Sequence, residues 1–306
     1  LAAVGLANQI VMMANVLFGA IAVGSTALIA RAIGARDEER ANRVLQQSFL
    51  VGGLIGVTST VLGVTLARQA MMAMGAEPDA LGLATVYLRT VAFTFLLSTL
   101  MFIGNACLRG AGDTRTPMRV MMLVNLINIA VAWSLINGVG GLPRLGVLGS
   151  ALGAACGRSL GGMVVVAWLL RGRSGLHLRR WLWPPEWEII RQILNVGLPA
   201  GVEQMLMRLG QISFARVIAA LGTTAYAAHA IALNAESLSF SPGFGFAIAA
   251  TTLVGQGLGA GDAQRAEEHG YLAYRLGALV MGGMGVLFIL FARPIVSIFT
   301  DDAAVI

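Results

Sequence analysis

The stretch Gly34-Ala-Arg-Asp-Glu-Glu-Arg-Ala41 returns 225 positions later as Gly259-Ala-Gly-Asp-Ala-Gln-Arg-Ala266. The match has no gap, and five of its eight positions are identical. In each copy the glycine suits the end of one helix, and the aspartate suits the cap of the next. Identical residues continue on both sides of the block, so the sequence predicts an internal repeat whose units are helices joined by short turns.

Apolar residues dominate the composition. They make up 57% of the 306 positions, charged residues make up 12%, and the mean hydropathy is +0.78. A water-soluble globular protein needs a more polar surface, so this class is excluded. The formal net charge is +6, but the basic residues, all arginine, lie between apolar blocks instead of on one solvated face. This argues against nucleic acid as a partner and favours lipid headgroups. The composition predicts an all-α integral membrane protein.

Eight apolar stretches are long enough to cross a bilayer, which takes roughly 20 helical residues. They cover residues 2–30, 44–67, 87–108, 117–136, 146–170, 189–220, 226–255 and 271–292. Arginine-rich loops follow the first, third and fifth stretches, whereas the loops on the opposite side carry almost no basic charge. Because basic loops stay on the cytoplasmic side, this alternation predicts a multi-pass protein of the cell inner (cytoplasmic) membrane.

The repeat relates the two halves of the predicted fold. It places the first span on the seventh, so an even number of crossings separates equivalent elements and the halves share one orientation. We therefore expect two parallel six-helix lobes, with residues 1–172 in the N-terminal lobe and residues 189–306 in the C-terminal lobe. Residues 173–188, rich in arginine and tryptophan, are predicted to form an amphipathic cytoplasmic linker. On this count one span is expected before residue 1 and three after residue 306.

Charged residues inside spans are costly in lipid, and for that reason they are functional candidates. Glu236 lies ten residues into the seventh span. It is predicted to line a cavity and bind a proton or a cation, although a structural hydrogen bond would account for it equally. Glu203 and Arg208 share the sixth span at a spacing of five residues, which is imperfect for an ion pair on one helix. Each can instead meet a neighbouring helix.

Two local patterns bear on bending and packing. Pro242, with Gly243 and Gly245 beside it near the middle of the seventh span, predicts either a hinge or a static kink. Glycines recur every fourth residue along the fifth span, which puts them on one face where another helix can approach closely. This stripe indicates packing inside a helix bundle or, alternatively, a homodimer interface. It consists of Gly149, Gly153, Gly157 and Gly161.

No motif for hydrolytic or nucleotide chemistry occurs in the sequence. A phosphate-binding loop of the Gly-x-x-x-x-Gly-Lys type is impossible in a chain without lysine. The two cysteines, Cys107 and Cys156, lie in apolar segments without the spacing of metal ligands. We therefore expect no enzyme activity, no metal site and no cofactor. A transport process would draw on an ion gradient or on a partner protein.

Three motifs carry a resemblance to a known family: Gly34-Ala-Arg-Asp37, Arg109-Gly-Ala-Gly-Asp-Thr-Arg-Thr-Pro117, and Leu221-Gly-Thr-Thr-Ala-Tyr-Ala-Ala-His229 followed by Leu253-Val-Gly-Gln-Gly-Leu-Gly-Ala260. On these motifs the sequence resembles the multidrug and toxin extrusion (MATE) family over essentially its whole length. It looks most like the DNA-damage-inducible (DinF-type) bacterial branch. The resemblance implies twelve helices in two lobes around a central cleft. It also implies efflux of small cationic or amphipathic compounds, driven by entering protons or sodium ions. We expect the protein to be a monomer.

The resemblance further implies a polar cluster in the N-terminal lobe that handles the coupling proton and shapes the substrate cavity. Asn105, Asn128 and Ser150 match three of its positions. Two other positions depart from the pattern. The aspartate of the first family helix falls before residue 1, and the aspartate expected four residues after Asn128 is Ala132.

The resemblance also implies a carboxylate that sodium-coupled members of the family carry. Its position corresponds to Met207, in the sixth span of this chain. Glu203 lies one turn earlier and is a candidate substitute.

Two other functions stay open at this point. A flippase for lipid-linked precursors would need arginines in its cleft to hold pyrophosphate, and Arg208 and Arg216 are candidates. A degenerate membrane subunit without transport activity would fit the missing spans and Ala132. The leading hypothesis is ion-coupled export by alternating access of two lobes.

Overall fold

The computed structural model describes residues 2–139, 143–172, 174–178 and 184–297, and in these residues helices are joined by turns. The predicted all-α fold is confirmed. The helices are α1 (Ala2–Gly34), α2 (Glu38–Thr65), α3 (Ala67–Ala73), α4 (Pro78–Ala92), α5 (Phe95–Gly110), α6 (Arg115–Asn137), α7 (Val147–Leu170), α8 (Trp187–Ala220), α9 (Thr223–Gly259), α10 (Ala263–Leu290) and α11 (Ala292–Ser297).

Among the described helices, α1, α2, α6, α7, α9 and α10 are each long and apolar enough to cross a membrane. A further span is formed by α4 and α5 together, which meet at a bend of 50°. The sequence predicted a single span over 87–108, whereas the chain starts a helix at Pro78 and breaks it at Phe93 and Thr94. The remaining predicted span corresponds to α8. This helix has 34 residues but is not among the helices that are both long and apolar enough to cross a membrane. Eight is therefore an approximate count for a multi-pass fold.

The chain forms two compact units, which divide inside α8 between Gly201 and Val202. The first unit buries two clusters of apolar side chains. One of them joins α1, α2, α5 and α7 to the start of α8 through Ile193, and the other packs α1 against α3 and α4. The start of α8 thus belongs to the first unit. The lobe limits expected from the sequence, on either side of 173–188, stay a prediction.

The internal repeat is confirmed by the positions at which the helices begin and end. α1 ends at Gly34 and α9 ends at Gly259. α2 and α10 have 28 residues each, and the short helices α3 and α11 follow them at Ala67 and Ala292. These pairs are separated by the same 225 positions as the sequence match.

The turn inside the repeated block has one geometry in both copies. Asp37 and Asp262 cap the next helix, and each carboxylate accepts a hydrogen bond from the backbone N–H three residues on, at 2.9 and 2.8 Å. The residue before each aspartate is left-handed, with φ 57° at Arg36 and φ 76° at Gly261. A left-handed backbone is unfavourable for a residue with a Cβ, so the first copy tolerates a strain that the second avoids.

A third copy of this turn joins α5 to α6. Gly112 is left-handed with φ 90°, and the next residue, Asp113, accepts a hydrogen bond from the N–H of Thr116 at 3.0 Å. Its carboxylate also accepts one from the hydroxyl of Ser174 at 2.5 Å. Burial acts to raise the pKa of Asp113, but the hydrogen bonds from Ser174 and Thr116 outweigh it, so the pKa lies below its ordinary value.

The described parts of the segment after α7 are bound to α2. Asn42 accepts a hydrogen bond from the backbone N–H of His177 at 2.6 Å. Gln47 is fully buried, and its amide donates to the carbonyl of Pro184 and accepts from the N–H of Glu186, each at 3.2 Å. The loops rich in arginine therefore meet at one end of the first unit, as the alternation of loops predicts.

The linker contributes both apolar and aromatic residues to this end. Leu176 and Leu178 are buried in the apolar cluster of α1, α2, α5 and α7. Trp187 begins α8 and is exposed. Trp181 and Trp183 lie outside the described residues, so the amphipathic character of 173–188 stays a prediction.

The glycine stripe of α7 lies against α6. A Cβ placed on Gly153 would lie 2.6 Å from the Cβ of Ala132 and 2.9 Å from the backbone oxygen of Asn128. One placed on Gly157 would lie 2.7 Å from the backbone oxygen of Val124. These distances leave no room for a side chain. The stripe packs inside the bundle, so it is not free to serve as a homodimer interface.

Candidate functional site

The three residues predicted to form a polar cluster lie in the first unit at different depths. Asn105 is five residues from the end of α5, Asn128 is near the middle of α6, and Ser150 is in the first turn of α7. At 1.5 Å per residue, Asn105 lies roughly 8 Å and Asn128 roughly 20 Å from the turn between α5 and α6. The structure spreads the three across the lobe, and no side-chain hydrogen bond joins them within the described ranges.

Asn105 is the most buried of the three, with 3% of its surface exposed. Its Oδ1 accepts no hydrogen bond from a described residue, and the same holds for the polar atoms Oγ of Ser98 and Oε1 of Gln46 in this unit. A buried polar atom without a partner costs about 1–3 kcal/mol. Such atoms are normally satisfied by water or by a ligand, so the first unit contains polar groups suited to a solute.

Ala132 stands where the resemblance implies an aspartate. Its Cβ faces Gly153 in the tight contact between α6 and α7. A longer side chain at this position would have to push α7 away, so the position serves packing in this chain. Elsewhere in the described spans of the first unit, carboxylates occur only in the first turns of helices.

The two mid-span carboxylates lie in the second unit. Glu203 is on α8 and Glu236 on α9, and both are exposed. Neither forms a hydrogen bond or an ion pair with another residue in the described part of the chain. Arg208 donates a hydrogen bond to Gln211 of its own helix at 3.4 Å and forms no ion pair with Glu203.

The predicted hinge lies in a continuous helix. α9 runs through Pro242 as a single element from Thr223 to Gly259. Gly243 lets α10 approach, because a Cβ placed on it would lie 2.6 Å from the sulfur of Met281. Gly245 has open space around it. Bending at Pro242 stays a prediction.

The break between α4 and α5 was missed by the sequence analysis. Phe93 and Thr94 are neither proline nor glycine, the usual causes of a broken helix. The hydroxyl of Thr94 donates to the carbonyl of Val91 at 2.8 Å, and that of Thr60 accepts from the N–H of Leu96 at 3.2 Å. These hydroxyls satisfy backbone groups at the break, as a lipid environment requires. In transporters, discontinuous helices commonly form solute sites.

Arg158 was also missed, although an arginine inside an apolar stretch is a signal in itself. It lies midway along α7 and is half-buried. Gly153 and Gly157 of the same helix face α6 instead.

Residues 1–134 and 199–306 match the family model described as MatE. The chain belongs to the MatE family. Its curated relatives include a probable multidrug resistance protein NorM of Thermotoga maritima, 34% identical over 303 residues. Another is the multidrug resistance protein NorM of Burkholderia vietnamiensis, 32% identical over 315 residues. Both alignments cover 99% of this MatE chain, but 65% and 66% of the relatives.

A solved structure, described as an outward-facing conformation of a multidrug resistance MATE family transporter of the MOP superfamily, has the same fold with a TM-score of 0.92. It is 28% identical and covers 99% of this MatE chain and 67% of that chain. The chain thus spans about two thirds of the length of the proteins it matches. The expected family is confirmed, whereas the transport activity and the DinF-type branch stay predictions.

Proposed function

We propose that this MatE chain is part of an exporter that expels amphipathic or cationic organic compounds in exchange for entering protons or sodium ions. The observation that carries the proposal is family membership over most of the chain, together with relatives named as multidrug resistance proteins. Alternating access of two lobes is the mechanism that the parallel repeat favours.

The carboxylates of the second unit are the proposed carriers of the coupling ion. The amides Asn105 and Asn128 cannot release a proton near neutral pH, and Ala132 offers no acidic group. Glu236 and Glu203 are mid-span carboxylates without a partner among the described residues, and a carboxylate can take up a proton or a sodium ion. In this proposal the amides and Ser150 shape the polar surface that the solute passes.

The test is efflux of ethidium from bacteria that lack their own main exporters and produce the full-length protein. Export that stops when a protonophore collapses the gradient supports proton coupling, and export that requires external sodium supports sodium. Glu236→Gln is expected to lower the export rate at least tenfold. Glu39→Gln, at an exposed first turn of α2, is the matched control and should leave it unchanged.

Two outcomes would favour the other candidate functions. A flippase would be favoured if the wild-type protein exported no drug but bound a lipid-linked pyrophosphate. In that case, substitution of both Arg208 and Arg216 should abolish this binding. Unchanged dye accumulation in cells that contain the folded protein would refute export and leave the non-transporting subunit. We further propose that the protein acts as a monomer in the inner membrane and needs no cofactor besides the coupling ion.

A further inference from the structure

Arg158 lies at the centre of α7, a depth at which charged side chains are rare. It is the twelfth of the 24 residues of Val147–Leu170, so about 17 Å of helix separates it from either end. This distance is longer than the reach of an arginine side chain, and the guanidinium cannot extend to the headgroup layer. The residue falls outside the two ranges that match the MatE family model.

The neighbours of Arg158 on α7 show in which direction its side chain leaves the helix. Ala151, Ala155, Gly162 and Val165 lie three, four or seven residues from it, so they share its face, and all four are buried. Ala151 belongs to the apolar cluster of α4, and Gly162 lies against the first turn of α5. Arg158 is therefore directed into the first unit, toward α4 and α5.

The break between α4 and α5 lies at the same level. α5 and α7 run in the same direction, because Gly162 meets Leu97 and, further along both helices, Val165 meets Gly104. Arg158 is one turn before Gly162, and one turn before Leu97 is the break. The charged residue and the discontinuous helix thus occupy one depth of the first unit.

The groups around this break can all donate hydrogen bonds. Tyr87 of α4 is 8% exposed, and its phenol is a hydrogen-bond donor. Ser98, in the first turn of α5, is 7% exposed, and its hydroxyl has no partner among the described residues. The start of α5 adds the partial positive charge of a helix N-terminus.

Arg158 has no counter-ion in the part of the chain that the structure describes. Its guanidinium forms neither an ion pair nor a hydrogen bond with any of these residues. It is half-buried, so it is not sealed off from a solute. A cation at this depth is costly unless an anion meets it, and such residues mark the pathways of solutes and ions.

We propose that Arg158 binds the carboxylate of an amphipathic solute at the break between α4 and α5. One guanidinium matches one carboxylate in charge and in its planar, two-pronged geometry. A lipid phosphate stays at the bilayer surface, whereas an exported solute passes the middle, so the solute supplies the anion. The inference rests on the proposed export function, and it extends the substrate class to amphipathic acids and zwitterions.

The experiment compares a rhodamine that carries a free carboxylate with its methyl ester, which differs only in that charge. Binding of each dye to the full-length protein in lipid nanodiscs is measured by fluorescence polarisation, and export is measured in cells. Arg158→Gln should weaken binding of the acid roughly tenfold or more, the usual value of a charged hydrogen bond, and leave the ester unchanged. Arg119→Gln, at an exposed position of α6, is the matched control and should alter neither.

Two results would overturn the inference. Unchanged binding of the acid to Arg158→Gln would mean that the guanidinium does not meet the carboxylate. Equal losses for both dyes would mean that Arg158 pairs with a carboxylate of the protein itself. If Arg158→Gln does not fold, Arg158→Lys tests the proposal, because lysine keeps the positive charge but cannot form two parallel hydrogen bonds to a carboxylate. This variant should bind the acid more weakly than the wild type and the ester equally well. Unchanged binding of the acid would refute the proposal. Arg158-dependent binding of the acid without export of either dye would instead refute the export function and retain the site.

Discussion

Gly153→Ala is expected to destabilise the first unit, although alanine is the better helix former. The added Cβ would sit 2.6 Å from the Cβ of Ala132 and 2.9 Å from the backbone oxygen of Asn128. Carbon atoms in contact are normally about 3.5–4 Å apart, so α6 would have to move by about 1 Å. Overpacking of this kind costs about 1–3 kcal/mol.

Gly53→Ala on α2 is the matched control, because nothing lies within 4 Å of a Cβ placed there. Replacement of a helical glycine by alanine stabilises a helix by about 0.5–1 kcal/mol. Gly53→Ala should show this stabilisation alone. Gly153→Ala should show the same stabilisation together with the destabilisation from overpacking. The two variants should therefore differ by about 1–3 kcal/mol in the free energy of unfolding.

The assay follows the monodisperse fraction of the purified, detergent-solubilised protein by size-exclusion chromatography after stepwise heating or denaturant addition. Ala132→Gly in the Gly153→Ala background removes one of the clashing carbons and should recover part of the loss, which a double-mutant cycle measures. Equal midpoints for Gly153→Ala and Gly53→Ala would refute the close contact between α6 and α7.

Three further predictions concern the arginine-rich end of the first unit. Arg36→Gly should stabilise the protein by about 0.5–1 kcal/mol, because Gly112 already occupies the equivalent left-handed position, and thermal midpoints check this. Because the pKa of Asp113 is lowered in the folded state, its carboxylate stabilises the fold at pH values above the ordinary aspartate pKa of about 3.9. This contribution is lost as the pH falls through the lower folded-state value. In acid titrations of stability, Asp113→Asn should therefore lose less stability than the wild type. Gln47→Leu leaves two backbone groups of the linker unpaired, so trypsin should cleave after Arg171 faster than in the wild type, and equal digestion rates would contradict the role of the amide.

Features written in local sequence could be predicted. The repeated block gave both capped turns, because glycine and aspartate act on the residues next to them. The glycine stripe gave the close approach of a helix to α7, since the spacing of Gly149, Gly153 and Gly157 already fixes one face. The sequence could not name α6 as the partner, because pairing depends on the whole bundle.

Features set by distant contacts could not be predicted. The break after Ala92 has no proline or glycine, and its backbone groups are satisfied in part by Thr60, some 30 residues earlier in the chain. The resemblance grouped Asn105 with Asn128 without showing that they lie at different depths. The charge of Arg158 inside an apolar stretch could have marked it as a functional candidate from the sequence alone. Only the structure shows that its side chain is directed toward α4 and α5.

The joint between α4 and α5 also has an evolutionary consequence. The joint contains no proline or glycine, and besides the hydroxyl of Thr94 its contacts come from Thr60 of α2 and from Gly162 of α7. Substitutions on those two helices can therefore retune the shape of the polar region around Arg158 while α4 and α5 keep their own sequence. A lineage of such proteins could change what it recognises through residues that never touch a solute.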